Sequence, residues 1–291
     1  MIRYVEPVIR PPSEADALIL QATIGCSHNK CAFCVTYRDK PFRARPREEL
    51  LAEIDWAGME MPEIRKIFLG DGDALALSTN RLIEILERLR DRLPNLRRIT
   101  AYASPQNFKN KSPADLKRLR QAGLNMLYVG LESGDDEVLK RIDKGTTADE
   151  MARLCMLPKE AGIKLFVTTV LGLGGPRLSQ QHAEHTARLI DRIQPRFASA
   201  LTLTLMPREP SYEEVFSDPE WRLLTPDEVL VECRQLIECI ESRGIIFYTD
   251  HASNYVPLKG TLQKDKARML STIDSALADP NKRRPEFMRG L

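Results

Sequence analysis

Short apolar runs alternate along the chain with longer stretches whose apolar positions recur every three or four residues. The runs predict strands over Leu18–Thr23, Lys66–Leu69, Arg98–Ala101, Met126–Gly130, Lys164–Leu171, Ala198–Leu205 and Ile245–Thr249. They recur about every thirty to forty residues, the length of a βα unit. Helix signals fill the intervals. Ser78 or Thr79 can cap a helix whose Leu82, Leu86, Leu89 and Leu93 share one face. Ser112-Pro113 opens the next helix and Gly123 closes it, while Ser179 can cap the helix that runs to Ile193. Thr147 to Glu150 and Thr225 to Glu228 both read as capping boxes.

Continuous strand runs such as Lys164–Leu171 suggest parallel strands covered on both faces. Successive right-handed βα crossovers curl such strands toward a barrel. Six units plus a seventh strand predict an α/β fold, a partial (β/α)6 TIM-like barrel with an added C-terminal strand and helices. The expected layout is an N-terminal arm over 1–15, a core barrel over 16–206 and an extension over 207–291 packed on that core. No linker or repeat divides the chain, so a single structural domain is expected.

Composition acts mainly by exclusion. A net charge of +2 on 291 residues leaves no strongly basic footprint, so nucleic acid is not the expected partner. The first residues, with Arg3, Glu6 and Arg10, lack the apolar stretch of a secretory leader, and no run has the length of a membrane span. A cytoplasmic protein without a membrane partner is the expectation. The tail from Asp279 to Leu291, rich in Arg and Pro, is expected to be loosely ordered.

The chemistry begins where the first strand ends. Cys26, Cys31 and Cys34 fall within nine residues, whereas Cys155, Cys233 and Cys239 are scattered and read as small apolar core residues. Three thiolates bind three irons of a four-iron cluster and leave the fourth open. A tetrahedral zinc site on Cys26, His28, Cys31 and Cys34 is the other reading, but common zinc modules bring a second ligand pair, which is missing here.

The Cys-x4-Cys-x2-Cys loop, with Phe33 just before the last cysteine, resembles that of the radical S-adenosylmethionine (SAM) superfamily, although three residues separate the first two cysteines in its commonest form. The resemblance is nearest to the branch of elongator, methylthiotransferase and coproporphyrinogen-oxidase-like proteins. It implies a [4Fe-4S] cluster on Cys26, Cys31 and Cys34, with SAM chelating the open iron. It further implies an electron donor of the flavodoxin or ferredoxin type, and a 5′-deoxyadenosyl radical acting on a small or medium-sized substrate.

The strand ends extend the resemblance. Gly70-Asp71-Gly72-Asp73 resembles the family's Gly-Gly-Glu segment, which meets the SAM amino group; a carboxylate and close-packed backbone suit an ammonium. Ser104, Gln106 and Asn107 offer a hydroxyl and amides for the SAM carboxylate or the substrate. Glu132 and Ser133 resemble a Glu-Ser segment that contacts SAM. Gly172 and Leu173 fall where relatives pack a glycine-containing segment on adenine, and Phe33 is the expected stacking partner. All fall at the C-terminal ends of strands, where barrel-like folds place their sites.

Beyond this core, His251 is the candidate proton donor or acceptor, with Asn254 and Tyr255 beside it to orient a substrate. His182 and His185 lack a third ligand and read as structural. Two further activities remain open: cluster-dependent transfer of a methyl or 3-amino-3-carboxypropyl group from SAM, and a zinc-stabilised, non-catalytic binding module.

Overall fold

Strands and helices alternate in the predicted order, and the differences are shifted element ends and a few short additional elements. The computed structural model describes residues 1–205, 214, 216 and 218–290. The chain divides into two compact units, Met1–Asn29 with Cys34–Val129 and Leu154–Leu165, and Lys30–Phe33 with Gly130–Arg153 and Phe166–Leu291. The expected boundary at Met206 lies outside the described residues.

In the first unit, β1 (Leu18–Gln21) leads into β2 (Thr23–Ile24), which pairs antiparallel with β3 (Arg43–Ala44). The cysteine loop spans the interval between these two short strands. Then come α1 (Arg47–Glu60), β4 (Lys66–Gly70), α2 (Thr79–Arg92), β5 (Arg98–Ala103), α3 (Pro113–Ala122) and β6 (Leu124–Glu132). β4 lies between β1 and β5, β5 pairs with β6, and all run parallel.

Local chemistry sets the ends. Ser78 Oγ accepts from the Arg81 N–H at the start of α2, whose Leu82, Ile85, Leu86 and Leu89 are buried. Ser112 and Asp115 cap α3 reciprocally, and Gly123 ends it at φ 117°, a left-handed conformation that favours glycine. The β5–β6 register shifts at Ile99, where Asn125 Oδ1 replaces a ladder carbonyl and accepts the Ile99 N–H at 2.8 Å.

Past β6 come α4 (Asp136–Arg141), α5 (Ala148–Glu160), β7 (Lys164–Leu171), α6 (Gly175–Ile193) and β8 (Phe197–Thr202). They are followed by α7 (Pro226–Cys239), β9 (Ile246–Tyr248), β10 (Lys259–Thr261) and α8 (Lys266–Ala278). In the second unit β7, β8 and β9 are parallel, and β10 joins β9 antiparallel. α6 packs on α7, and α7 on α8. Among the described residues no helix is long and apolar enough to cross a membrane.

Two expectations are corrected. α6 starts at Gly175, four residues before Ser179; Ser179 is an interior residue whose hydroxyl donates to Glu232. The tail is held rather than loose: one Arg284 nitrogen donates to the carbonyls of His251, Ala252 and Asn254.

α7 begins as predicted. Thr225 Oγ1 accepts the Glu228 N–H and the Glu228 carboxylate accepts the Thr225 N–H. Thr225→Ala is expected to cost about 1 kcal/mol, read as a lower urea midpoint with unchanged slope. An unchanged midpoint would show that the box contributes nothing.

Candidate functional site

The cysteine loop is anchored by the segment that follows β4. Asp71, 0% exposed, pairs with Lys40 at 2.6 Å, and Lys40 is itself only 6% exposed. The same carboxylate oxygen accepts the Gly25 N–H at 3.0 Å, and the Tyr37 phenol lies within reach of the Asp71 charge. Burial, and then the Asp71 charge, push the Tyr37 phenol far above its ordinary range. The two remaining Lys40 donors reach the carbonyls of Val5 and Pro7 at 2.6 and 2.7 Å. One ammonium thus ties together the N-terminal arm, the cysteine loop and the end of β4.

Two glycines make this packing possible. Gly25 has φ 74°, and a Cβ there would stand 2.3 Å from the Lys40 carbonyl oxygen. At Gly72 a Cβ would stand 2.6 Å from the Tyr37 ring, so the loop itself requires that glycine. Gly70 differs: its nearest neighbour to an added Cβ is Ile19 at 3.4 Å, an ordinary contact.

Asp73, also fully buried, accepts from the Ser27 hydroxyl and, at 3.1 Å, from Asn107 Nδ2. Asn107 Oδ1 in turn accepts the Ser104 N–H at 2.8 Å. A chain of hydrogen bonds therefore runs from the end of β5, through Asp73, to the residue after Cys26. Thr23 Oγ1, Asp71 Oδ1, Thr100 Oγ1 and Ser104 Oγ are buried here with no hydrogen-bond partner, a concentration of unspent polar atoms that is costly without a ligand or water.

The loop also closes on itself, since Asn29 Nδ2 donates to the Tyr37 carbonyl at 2.7 Å and Arg38 to that of Cys34. Cys26, Cys31 and Cys34 are half-buried thiols. The other cysteines fit a ligand role poorly: Cys155 and Cys233 are buried, and burial, then Glu232, push the Cys233 thiol up to about 12. Burial likewise raises the Cys239 thiol, helped by Glu184 and Glu238. The donor set thus fits an iron–sulfur cluster on three thiolates. Among the described residues no three His, Cys, Asp or Glu side chains gather around the space of one ion; a four-iron cluster does not ask for that, because its thiolates bind separate irons.

In the second unit, Lys30–Phe33 is held by the Ala32 N–H, which donates to the Ile142 carbonyl at 2.8 Å. Cys31 and the half-buried Phe33 flank that bond. Glu132 has φ 65° and pairs with Lys144 at 2.9 Å. Ser133 is fully buried between His182 Nδ1, 2.8 Å from its hydroxyl, and the Asp135 N–H, which it accepts. His182 Nε2 lies 3.1 Å from the Val170 carbonyl, which can only accept, so that nitrogen carries a proton.

Asp135 caps α4 and also takes His185 and Gln181. Burial acts to raise its carboxyl, but the Val138 N–H, Gln181 and His185 outweigh it and hold the carboxyl below its ordinary value. His182 and His185 are thus each held by hydrogen bonds within this unit.

Gly172, at φ 90°, gives its N–H to the fully buried Glu232 at 2.7 Å. Its carbonyl accepts from Gly175, and the Leu173 carbonyl accepts from Trp221. Burial raises the Glu232 carboxyl, against His182, Ser179 and the Gly172 N–H.

His251 Nδ1 is 2.9 Å from the Ser253 hydroxyl and accepts the Ser253 N–H at 3.1 Å. Burial, with Arg284, outweighs Asp250 and lowers its pKa. Asn254 anchors the strand ends, donating to the Ala200 and Thr249 carbonyls and accepting from Thr202, while Tyr255 donates to Glu286. These contacts occupy Asn254 and Tyr255, the groups the sequence reading offered to orient a substrate.

Sequence reasoning missed Ser27, Tyr37, Lys40, Lys144 and Glu232. Lys40 and Tyr37 sit beside Pro41 and Arg38 in a polar loop, where nothing marks them as buried.

Comparison with known proteins fits this geometry. The family model described as Radical SAM superfamily matches residues 20–190. The Bacillus subtilis heme chaperone HemW is 23% identical over 77% of this chain and 59% of its own. The Priestia megaterium 4′-phospho-dehydrooxetanocin synthase is 28% identical over 53% of this chain and 23% of its own. The chain therefore spans only part of each relative. The solved structure of Escherichia coli coproporphyrinogen III oxidase (HemN), a radical SAM enzyme, superimposes with a TM-score of 0.55 at 15% identity, covering 76% of this chain and 51% of that one. That likeness shows the fold, an α/β architecture with a mostly parallel sheet, as expected. With more than half of its length matched on top of the three-thiol loop, the chain belongs to the radical SAM superfamily, whose members are enzymes.

Proposed function

We propose that Cys26, Cys31 and Cys34 hold a [4Fe-4S] cluster, that SAM binds at its open iron, and that reductive cleavage yields a 5′-deoxyadenosyl radical acting on a small or medium-sized substrate. The observation that carries this reading is the double anchorage of the cysteine loop, through Asp71 to Lys40 and Gly25 and through Asp73 to Ser27. When bound, the cluster supplies the electron that breaks a carbon–sulfur bond of SAM.

The chain's own residues divide between holding and contacting. Asp71 and Gly72 belong to the anchorage of the loop, and Gly70, which packs on Ile19 and Phe68 without crowding, is the backbone candidate of this segment for SAM. Asp73, Ser104 and Glu132 are the polar candidates for SAM, whereas Ser133, the fourth that the resemblance implies, spends its buried hydroxyl on His182 and the Asp135 N–H. At Gly172 and Leu173, backbone contact falls to lone pairs and N–H groups not already spent on Glu232, Gly175 and Trp221. Phe33, half-buried beside Cys34, can stack on adenine. His251 is the proton donor or acceptor: its Nδ1 is spent on Ser253, so its Nε2 is the atom that would serve. The electron donor is of the flavodoxin or ferredoxin class.

Anaerobic reconstitution followed by reduction with SAM tests the reading. The expected result is about four irons per chain with matching sulfide and 5′-deoxyadenosine as the nucleoside product. Cys26→Ala, Cys31→Ala and Cys34→Ala should each lose most of the iron while keeping the far-ultraviolet circular dichroism of the parent. Methylthioadenosine as the main product would instead assign aminocarboxypropyl transfer, and a colourless protein with one zinc would sink the enzymatic reading.

A further inference from the structure

The first unit carries a second concavity that the cysteine loop does not use. The C-terminal ends of α2 and α3 and the start of β5 enclose about 500 Å³, lined by Arg90, Arg97, Arg98 and Arg120 together with Leu96, Ile99 and Asn125, and by no carboxylate. Three of the four guanidinium groups are held in place. Arg98 donates to Glu14 at 2.8 Å, Arg90 to the Gln121 carbonyl at 3.1 Å and Arg120 to the Gly162 carbonyl at 3.0 Å. These bonds spend few of the five donors each group carries. Arg98 Nε is buried with no partner, and among the described residues the Arg97 side chain has neither hydrogen bond nor ion pair.

The charge is not balanced. Four guanidinium groups outnumber the carboxylates within reach. Glu14 bonds Arg98, and Asp16, which also feels the Arg98 charge, is itself paired with Lys66, so positive charge is in excess around one small volume. Helix ends account for part of this, since C-terminal carbonyls favour a nearby cation; Arg90 and Arg120 sit at such ends. Arg97 and Arg98 lie beyond any helix, so the dipoles do not explain them. Like charges gathered around one cavity repel one another, and an anion relieves that.

We propose that this cavity binds a phosphorylated small molecule carrying at least two negative charges. Planar guanidinium forks match phosphate oxygens in pairs, and Leu96 and Ile99 give an organic group an apolar surface. The volume falls in the range of small-ligand sites, roughly 300–1,000 Å³. Arg98 opens β5 and Ser104 follows its far end, about 20 Å away at 3.3 Å per residue. The ligand is therefore held apart from the SAM chemistry, and the inference stands independently of it.

Calorimetric titration with inorganic diphosphate tests the site in the whole chain. Binding should weaken at least tenfold in Arg97→Gln and in Arg120→Gln, about a hundredfold in the double variant, and not at all in Arg243→Gln, an exposed arginine of the other unit. The thermal midpoints of the variants without diphosphate should match the parent, which separates lost binding from lost folding. Absence of diphosphate binding, or equal binding by parent and double variant, overturns the proposal. A single-stranded RNA dodecamer is titrated in parallel. RNA binding that is lost in the double variant, with no response to diphosphate, also overturns it, because the phosphates would then belong to a polynucleotide.

Discussion

Lys40→Met is expected to lower stability by about 3–5 kcal/mol, because it leaves the buried Asp71 carboxylate without its counter-charge. In a chain of this size that corresponds to a fall in thermal midpoint of roughly 10 °C. The same substitution removes the donor shared by the Val5 and Pro7 carbonyls. The arm should therefore open to limited proteolysis, although Gln21 still holds Val5 through two hydrogen bonds. Pairing Lys40→Met with Asp71→Asn should recover part of the loss. The amide is uncharged, and its oxygen can still accept the Gly25 N–H. Equilibrium unfolding in urea of the two singles and the double checks this as a cycle. Single variants within about 0.5 kcal/mol of the parent would remove Lys40 from its place at the centre of the loop's anchorage.

Glu232→Gln is expected to make the protein more stable, and increasingly so as pH rises. Burial holds the Glu232 carboxyl above its ordinary value of 4.5, against the pull of His182, Ser179 and Gly172. The folded chain thus keeps a proton that the unfolded chain releases. The stability this contributes is complete below about pH 4.5 and drains away as pH rises until the folded carboxyl ionises as well. Glutamine does not titrate, so its advantage should grow across that window and then level off. Its oxygen can accept the Gly172 N–H, and the Ser179 hydroxyl can turn to accept from its nitrogen. Glu232→Ala, by contrast, strands the Gly172 N–H and leaves a cavity, at about 2–4 kcal/mol. Urea midpoints between pH 5 and 8 separate the cases; parallel curves for parent and glutamine variant would falsify the assignment.

Much of the fold was legible because periodicity reports burial. Lys164–Leu171 matches β7 to the residue, and the face of Leu82, Leu86, Leu89 and Leu93 is buried as spaced. Caps were legible for the same local reason, as Thr225 shows. β10 was not, because Lys-Gly-Thr has no apolar alternation; its pairing with β9 is a tertiary matter. α6 began early because Gly174 and Gly175 start its first turn against Trp221, which lies far along the chain.

The site was legible in its thiols and much less so in what holds them. Asp71 and Gly72 read as ligand contacts; in the structure one Asp71 oxygen is taken by Lys40 and Gly25, and Gly72 packs on Tyr37. A carboxylate at a strand end looks the same in sequence whether it faces a ligand or a buried lysine. Only burial and the identity of the partner distinguish the two, and that partner lies 31 residues away in a polar loop. Gly172 teaches a related lesson: its conformation needs glycine, but its N–H was already promised to Glu232 on a helix that periodicity could not bring near.

β10 carries a last consequence. Three of its outward backbone groups are taken by the following segment: Arg268 donates to the Lys259 carbonyl at 2.7 Å, Asp265 accepts the Thr261 N–H at the same distance, and the Asp265 N–H donates to the Thr261 carbonyl. A strand rim normally invites another copy to dock and lengthen it. Here that invitation is withdrawn from within, so crowded or partly heated samples should resist growing ribbons from this border for as long as α8 stays folded.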